Sequence, residues 1–98
     1  MSDLELVREL TIRNHLGMHA RAAVRFVQIA KQFSSEVQVK KNGDEVNGKS
    51  VMGLLTLVAA HGMKISVITV GDDAAAAMAA LSALVESGFG EGVDGING

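Results

Sequence analysis

Glu36-Val37-Gln38-Val39-Lys40-Lys41-Asn42-Gly43-Asp44-Glu45-Val46-Asn47-Gly48-Lys49-Ser50 admits two readings, and the choice between them decides the fold. Residues 36–40 alternate polar and apolar with period two, the pattern of a half-buried strand. Asn42-Gly43 is a strong hairpin signal, because a type I′ turn needs positive φ at both central residues. Residues 44–47 then form a short partner strand. The competing reading takes Gly43 to Ser50 as G-x-x-x-x-G-K-[ST], the Walker A pattern that cradles nucleotide phosphates. Ile65-Ser66-Val67-Ile68-Thr69-Val70, followed by Gly71-Asp72, even imitates the second strand of such a fold. Three points favour the hairpin. Asn42-Gly43 followed by Glu45-Val46-Asn47 has turn chemistry, Asp44 and Glu45 would repel phosphates, and the chain has too few βα units for a parallel sheet.

Working outward from the hairpin, residues 7–12 read as a first strand with imperfect alternation. In residues 20–33, Ala23, Phe26, Val27, Ala30 and Phe33 recur on one helical face, which Ser34-Ser35 ends. Residues 50–60 read as a short second helix, stopped by Gly62. Residues 65–70 are apolar and β-branched, which suits a central strand. Asp72 or Asp73 can cap a third helix whose inner face is Ala77, Met78, Leu81, Leu84 and Val85. From Gly88 onward there are five glycines in eleven residues, a composition that frays. The order is β-α-β-β-α-β-α. One sheet with helices on one face would bury these stripes, so the fold class is α+β. The expected layout is a single domain over residues 1–98, structured from about 4 to 90, with 91–98 as a flexible glycine-rich tail.

Ninety-eight residues with no cysteine exclude disulfides and thiolate metal sites. No metal or cofactor is expected. No apolar run reaches the length of a membrane span, and Met-Ser-Asp-Leu-Glu lacks the regions of a signal peptide. The expectation is a cytoplasmic protein that does not insert into membranes. A net charge of −2 argues against nucleic-acid binding. Residues 1–49 nevertheless hold eight Lys/Arg against six Asp/Glu, and residues 50–98 hold one against five. Between His19 and Phe33 lie Arg21, Arg25 and Lys31 with no acid, a basic face that can steer an acidic partner.

The chemistry lies in Asn14-His15-Leu16-Gly17-Met18-His19-Ala20-Arg21-Ala22-Ala23. His19 follows a glycine-containing turn and opens the first helix. There it sits beside unpaired N–H groups and the positive end of the dipole, where a phosphoryl group on the ring would be stabilised. Arg21 adds a permanent cation suited to phosphate oxygens. Histidine is neutral at cytoplasmic pH, nucleophilic, and a good leaving group. These residues point to a histidine that carries phosphate. Asn14 either orients the loop and bridges to the phosphate or only supports a turn. His15 and His61 read as an ordinary loop residue and a helix-end residue.

The segment resembles the active-site motif of the HPr family, the histidine phosphocarriers of the bacterial phosphotransferase system, which usually reads G-[LIM]-H-[AT]-R-P-A. Here it is Gly17-Met18-His19-Ala20-Arg21-Ala22-Ala23, with Ala22 in place of the proline. Asn47-Gly48-Lys49-Ser50-Val51-Met52-Gly53-Leu54-Leu55 is similar to the family's regulatory-serine segment. The resemblance spans roughly residues 4 to 90. The ending Glu86-Ser87-Gly88-Phe89-Gly90-Glu91 is similar to nitrogen-branch members (NPr) as well as to ordinary HPr.

The resemblance implies an open-faced sandwich, a four-stranded antiparallel sheet carrying three helices. It implies that His19 takes phosphate from phosphorylated enzyme I, charged by phosphoenolpyruvate, and passes it to an enzyme IIA protein or domain. Arg21, the amides at Ala20 and Arg21, and Asn14 would hold the phosphoryl group. The chain is then a carrier whose partners supply most of the catalytic machinery, and a monomer. Ala22 leaves the loop less pre-organised than proline would, by about 0.4–1 kcal/mol where the native φ suits proline. Ser50 is an N-cap worth about 1 kcal/mol. By resemblance it is also the position that a dedicated HPr kinase/phosphorylase modifies in some members of the family, and a phosphate there would hinder acidic partners. In the second helix, Leu54, Leu57 and Val58 are expected in the core. Val51, Met52 and Leu55 face outward and, with Met18 and Arg25, form a docking surface. The alternative is a regulatory binding module controlled at Ser50 or His19, without bulk sugar transport.

Overall fold

The computed structural model describes residues 4–91. Its elements are β1 (Glu5–Thr11), α1 (Ala20–Ala30), β2 (Glu36–Lys41), β3 (Asp44–Asn47), α2 (Val51–Thr56), β4 (Lys64–Val70) and α3 (Ala74–Glu86). The strands form one sheet in the order β1-β4-β2-β3, with every neighbouring pair antiparallel. This is the α+β open-faced sandwich that the resemblance implied.

Register resolves the two readings of residues 36–50 in favour of the hairpin. Lys41 lies opposite Asp44, and Asn42 and Gly43 take φ of 51° and 88°, the left-handed pair that a type I′ turn needs. Gly48 donates its N–H to the Val37 carbonyl at 2.7 Å. A Cβ on Gly48 would come within 2.4 Å of Val37 Cγ1, so this glycine serves strand packing. Lys49 Nζ donates to the Phe33 carbonyl at 2.8 Å, just past the C-terminal end of α1, where a cation is favoured. The lysine that a Walker A loop would place on a phosphate is committed to the turn that follows α1.

β4 lies between β1 and β2, as its composition suggested. Ile65, Val67 and Thr69 are buried under the helices, while Ser66, Ile68 and Val70 are partly exposed on the uncovered face. The broken alternation of β1 has a cause. Arg8 lies opposite buried Val67, on the helix side, and its Nη2 reaches Glu86 Oε2 at 3.3 Å. The core joins Phe26, Val27 and Ala30 of α1, Leu54 of α2, and Leu81 and Val85 of α3 to the inner face of the sheet.

Helix boundaries differ from the periodicity in instructive ways. α1 stops at Ala30, and residues 31–33 close it with a looser turn. α2 ends near Thr56 rather than at Ala60, and Val58 adopts φ of 51° where Gly62 was the expected stop. Tertiary pairing overrides local propensity here. The Ala59 carbonyl accepts from Met18 N–H, the Ile12 carbonyl accepts from Gly62 N–H, and Ile12 N–H donates to Met63, each at 2.8 Å. The turn therefore leaves Val58 71% exposed, not in the core as expected, while Leu54 and Leu57 are buried.

Two further expectations need correction. Asp73 occupies the N-cap position of α3 but makes no side-chain cap. Its carboxylate instead accepts the N–H groups of Ser34 and Ser35 at 2.9 Å each and both serine hydroxyls, tying α3 to the α1–β2 turn. Residues 88–90, expected to fray, are packed. Gly88, Phe89 and Gly90 have φ of 71°, 55° and 79°, Phe89 N–H donates to the Leu84 carbonyl at 2.9 Å, and the Phe89 ring is in the core. The expected flexible tail begins at Glu91, which makes side-chain contacts described below; residues 92–98 lie outside the described residues.

Hydrogen bonds from Ser35 and Ser34 hold the Asp73 carboxyl down from 3.8 to about 2. A depressed folded-state value stabilises the protein fully above the unfolded value of 3.8 and loses that contribution as pH falls through about 2. Asp73→Asn is expected to lower the thermal midpoint at neutral pH, and the gap to wild type should narrow as acid protonates Asp73. Thermal melts from neutral to strongly acidic pH check this; a gap that stays constant would contradict it.

Candidate functional site

α1 begins on an imidazole. His19 is its N-cap, in extended conformation, and its Nδ1 accepts the Arg21 N–H at 3.2 Å. Caps are ordinarily Ser, Thr, Asp or Asn oxygens; here a ring nitrogen does the same task. The loop before it sets the geometry. Gly17 has φ of 71°, and a Cβ there would lie 2.7 Å from the Ala59 carbonyl oxygen. Glycine thus lets the loop press against residues 59–60, and Met18 N–H bonds Ala59 at 2.8 Å. His19 N–H donates to the Gly17 carbonyl at 2.9 Å.

The first regular helical bond runs from Ala23 N–H to the His19 carbonyl at 2.9 Å. Among the described residues, the N–H groups of Ala20 and Ala22 have no acceptor, and the first turn holds no acid. These are the groups that make a helix start a site for an anion. A proline at Ala22 would lose no hydrogen bond, while the Ala22 side chain itself is fully buried.

The other ring nitrogen faces a carboxylate. His19 Nε2 lies 2.5 Å from Glu91 Oε2. With Nδ1 accepting an amide proton, a neutral ring would carry its own proton on Nε2 and donate it to Glu91. Glu91 Oε1 accepts from Asn14 Nδ2 at 2.9 Å, and the same Nδ2 donates to the Gly17 carbonyl at 2.8 Å. Asn14 is fully buried, so it holds the loop and reaches the ring through Glu91. Arg25 Nη1 donates to the Phe89 carbonyl, fixing the segment that delivers Glu91. Burial pushes the Glu91 carboxyl up, but hydrogen bonds from Asn14 and His19 and the nearby His19 and Arg25 outweigh it, leaving it below its ordinary value.

The structure thus brings His19, Asn14 and the amides of Ala20 and Arg21 together. The Arg21 side chain is exposed and makes no hydrogen bond or ion pair among the described residues. Met18, expected on the docking surface, is only 6% exposed; the left-handed turn at Gly17 points it inward, into the core cluster. Arg25 is partly buried and engaged by Phe89 rather than free for a partner. Ser50 is the N-cap of α2, its Oγ accepting from Gly53 N–H at 3.0 Å. Met52 is 74% exposed, whereas Val51 and Leu55 are partly buried against the core. His15 and His61 lie with ring centroids 6.2 Å apart. Among the described residues no three of His, Asp or Glu converge where a metal ion would fit. No helix of the described residues is long and apolar enough to cross a membrane. Glu91 is the site residue that the sequence reading missed; its only local signal is its place after Gly88-Phe89-Gly90, which lets the chain turn back.

Comparison with known proteins decides the family. Residues 6–87 match the family described as PTS HPr component phosphorylation site. The chain belongs to the HPr family of phosphotransferase-system phosphocarriers. It is 53% identical to the phosphocarrier protein HPr of Neisseria meningitidis over 87 residues, covering 89% of this chain and 98% of that one. It is 39% identical to the phosphocarrier protein NPr of Shewanella violacea, covering 89% and 96%. Among solved structures it is similar to HPr from Thermoanaerobacter tengcongensis, with a TM-score of 0.86 and 41% identity, covering 90% and 99%. An HPr dimer from the same organism is also similar, at 44% identity, covering 84% and 94%, with a TM-score of 0.71.

Gly17→Ala is expected to cost about 1–3 kcal/mol, because it strains a left-handed residue and drives the loop off residues 59–60. Chemical denaturation checks it, and an unchanged midpoint would contradict the loop geometry.

Proposed function

We propose that His19 is the phosphoryl acceptor of a cytoplasmic, single-domain, monomeric carrier. It receives the group from phosphorylated enzyme I and passes it to an enzyme IIA protein or domain. The observation that carries this reading is His19 Nδ1 at the mouth of α1, turned toward the Arg21 N–H at 3.2 Å. A phosphoryl group on Nδ1 would exchange that single contact for the amides of Ala20 and Arg21, with the Arg21 guanidinium free to close over it. Amides and one arginine stabilise such a group modestly, by about 0.3–1 kcal/mol through the dipole. That suits a carrier, which must release what it holds. Exposed Met52 beside half-buried Val51 and Leu55 offers apolar contact to several partners.

Ser50 supports a second reading of the same surface. Its hydroxyl lies at the start of α2, which packs against α1. A kinase-added phosphate there would place negative charge on the face that acidic partners approach.

Intact mass after incubation with enzyme I and phosphoenolpyruvate tests both readings. Wild type is expected to gain one acid-labile phosphoryl group, His19→Ala none, and Ser50→Asp the same group more slowly. An unlabelled wild type alongside active enzyme I would remove the carrier reading. Ser50→Asp labelling at the wild-type rate would remove the regulatory one.

A further inference from the structure

We infer that Glu91 is a positioning residue for phosphoryl transfer at His19, holding the ring in the tautomer whose Nδ1 is free of a proton. The inference rests on the carrier reading above. It starts from the division of labour between the two carboxylate oxygens. Oε2 takes Nε2 of His19 at 2.5 Å, and Oε1 takes Nδ2 of Asn14 at 2.9 Å. With each oxygen bound to a different donor, the carboxylate cannot rotate without losing a contact. An ionised carboxylate has no proton to give, so it accepts only from a protonated Nε2. The ring is gripped at both nitrogens by groups of opposite polarity, an amide donor at Nδ1 and a carboxylate acceptor at Nε2.

Glu91 is not a loose surface ion. The Phe89 ring anchors its segment in the core, the Phe89 carbonyl is held by Arg25, and the Phe89 N–H is held by Leu84. None of these contacts involves His19, so the arm is aimed at the ring independently of it. Asn14 is buried and tied to Gly17, so the loop before His19 and the arm after α3 meet at one carboxylate. The contacting side chains of His19 and Glu91 are 27% and 20% exposed, which leaves their hydrogen bond less open to competition from water than a surface pair.

The consequence for transfer follows directly. The Nδ1 lone pair attacks the phosphorus of a phosphohistidine on the donor protein. The Nδ1–P bond forms as the donor's N–P bond breaks, and that electron pair leaves with the donor's ring nitrogen. The Nε2 proton stays in its hydrogen bond to Glu91 throughout, so no separate base is needed. Positive charge that grows on the His19 ring is opposed by the carboxylate. On onward transfer the same protonated Nε2 keeps the ring a good leaving group.

Glu91→Gln tests this, because its amide offers one acceptor oxygen to two donors, Asn14 Nδ2 and His19 Nε2–H. Long-range proton–nitrogen correlation spectra of the isolated protein report which ring nitrogen bears the proton. Wild type is expected to show Nε2 protonated and Nδ1 bare, and Glu91→Gln to gain the Nδ1-protonated form. The rate of labelling by enzyme I and phosphoenolpyruvate is expected to fall roughly tenfold or more, in turnover rather than in apparent affinity. Glu86→Gln, which removes the same charge from the exposed pair with Arg8, should label as wild type does. An unchanged tautomer in Glu91→Gln overturns the inference, whatever the rate, and so does an unchanged rate. A wild type that takes no label overturns the carrier reading and the inference with it. The spectra need no partner protein, so they tell a failed grip on the ring from a failed relay.

Discussion

The hydrogen bond from the Arg21 amide to His19 Nδ1 joins the fold to the chemistry. A helix leaves its first N–H groups without helical partners, and something must meet them. Most helices use a side-chain oxygen. α1 uses the imidazole of His19, the acceptor of the proposed carrier, so the requirement that stabilises the helix start also sets the ring's orientation and its neighbours. The Gly17 turn, the Met18–Ala59 bond and buried Asn14 all serve to hold that ring against that helix end. In the proposed carrier, a phosphoryl group on the ring would leave the helix start capped by the anion's own oxygens.

The surroundings of the ring are balanced rather than strongly cationic. Arg21 is exposed and unengaged among the described residues, Arg25 is drawn to the Phe89 carbonyl, and Glu91 brings a carboxylate to Nε2. A site built for tight anion binding would aim both guanidinium groups at one point. This one pairs a few amides and one exposed cation with a nearby negative charge, an arrangement that suits the release required of the proposed carrier. The basic face of Arg21, Arg25 and Lys31 seen in the sequence is correspondingly narrower in the structure, because Arg25 is turned to a backbone carbonyl.

Features governed by local chemistry were legible in the sequence. Asn42-Gly43 demanded its hairpin, Ser50 capped α2, and the apolar stripe of α1 faced the sheet. The family motif, whose residues are contiguous, singled out His19 as the candidate. What escaped was set by contacts between distant segments. Nothing near Val58 announces a left-handed residue, since the turn is imposed by pairing with residues 12–18. Asp73 has the composition of a cap, yet two serines some forty residues earlier in the chain claim its carboxylate. Met18 lies next to the candidate ring in sequence, yet it is itself core. Glu91 looks like the start of a glycine-rich tail, and only the burial of Phe89 brings it to His19.

The central claim is that phosphate is carried on Nδ1 of His19, at the mouth of α1. Nitrogen-15 and phosphorus-31 spectra of the phosphorylated protein test it most directly. The account predicts a one-bond phosphorus coupling to Nδ1 and large shifts of the Ala20 and Arg21 amide signals. Coupling to Nε2, or amide signals that do not move, would contradict it.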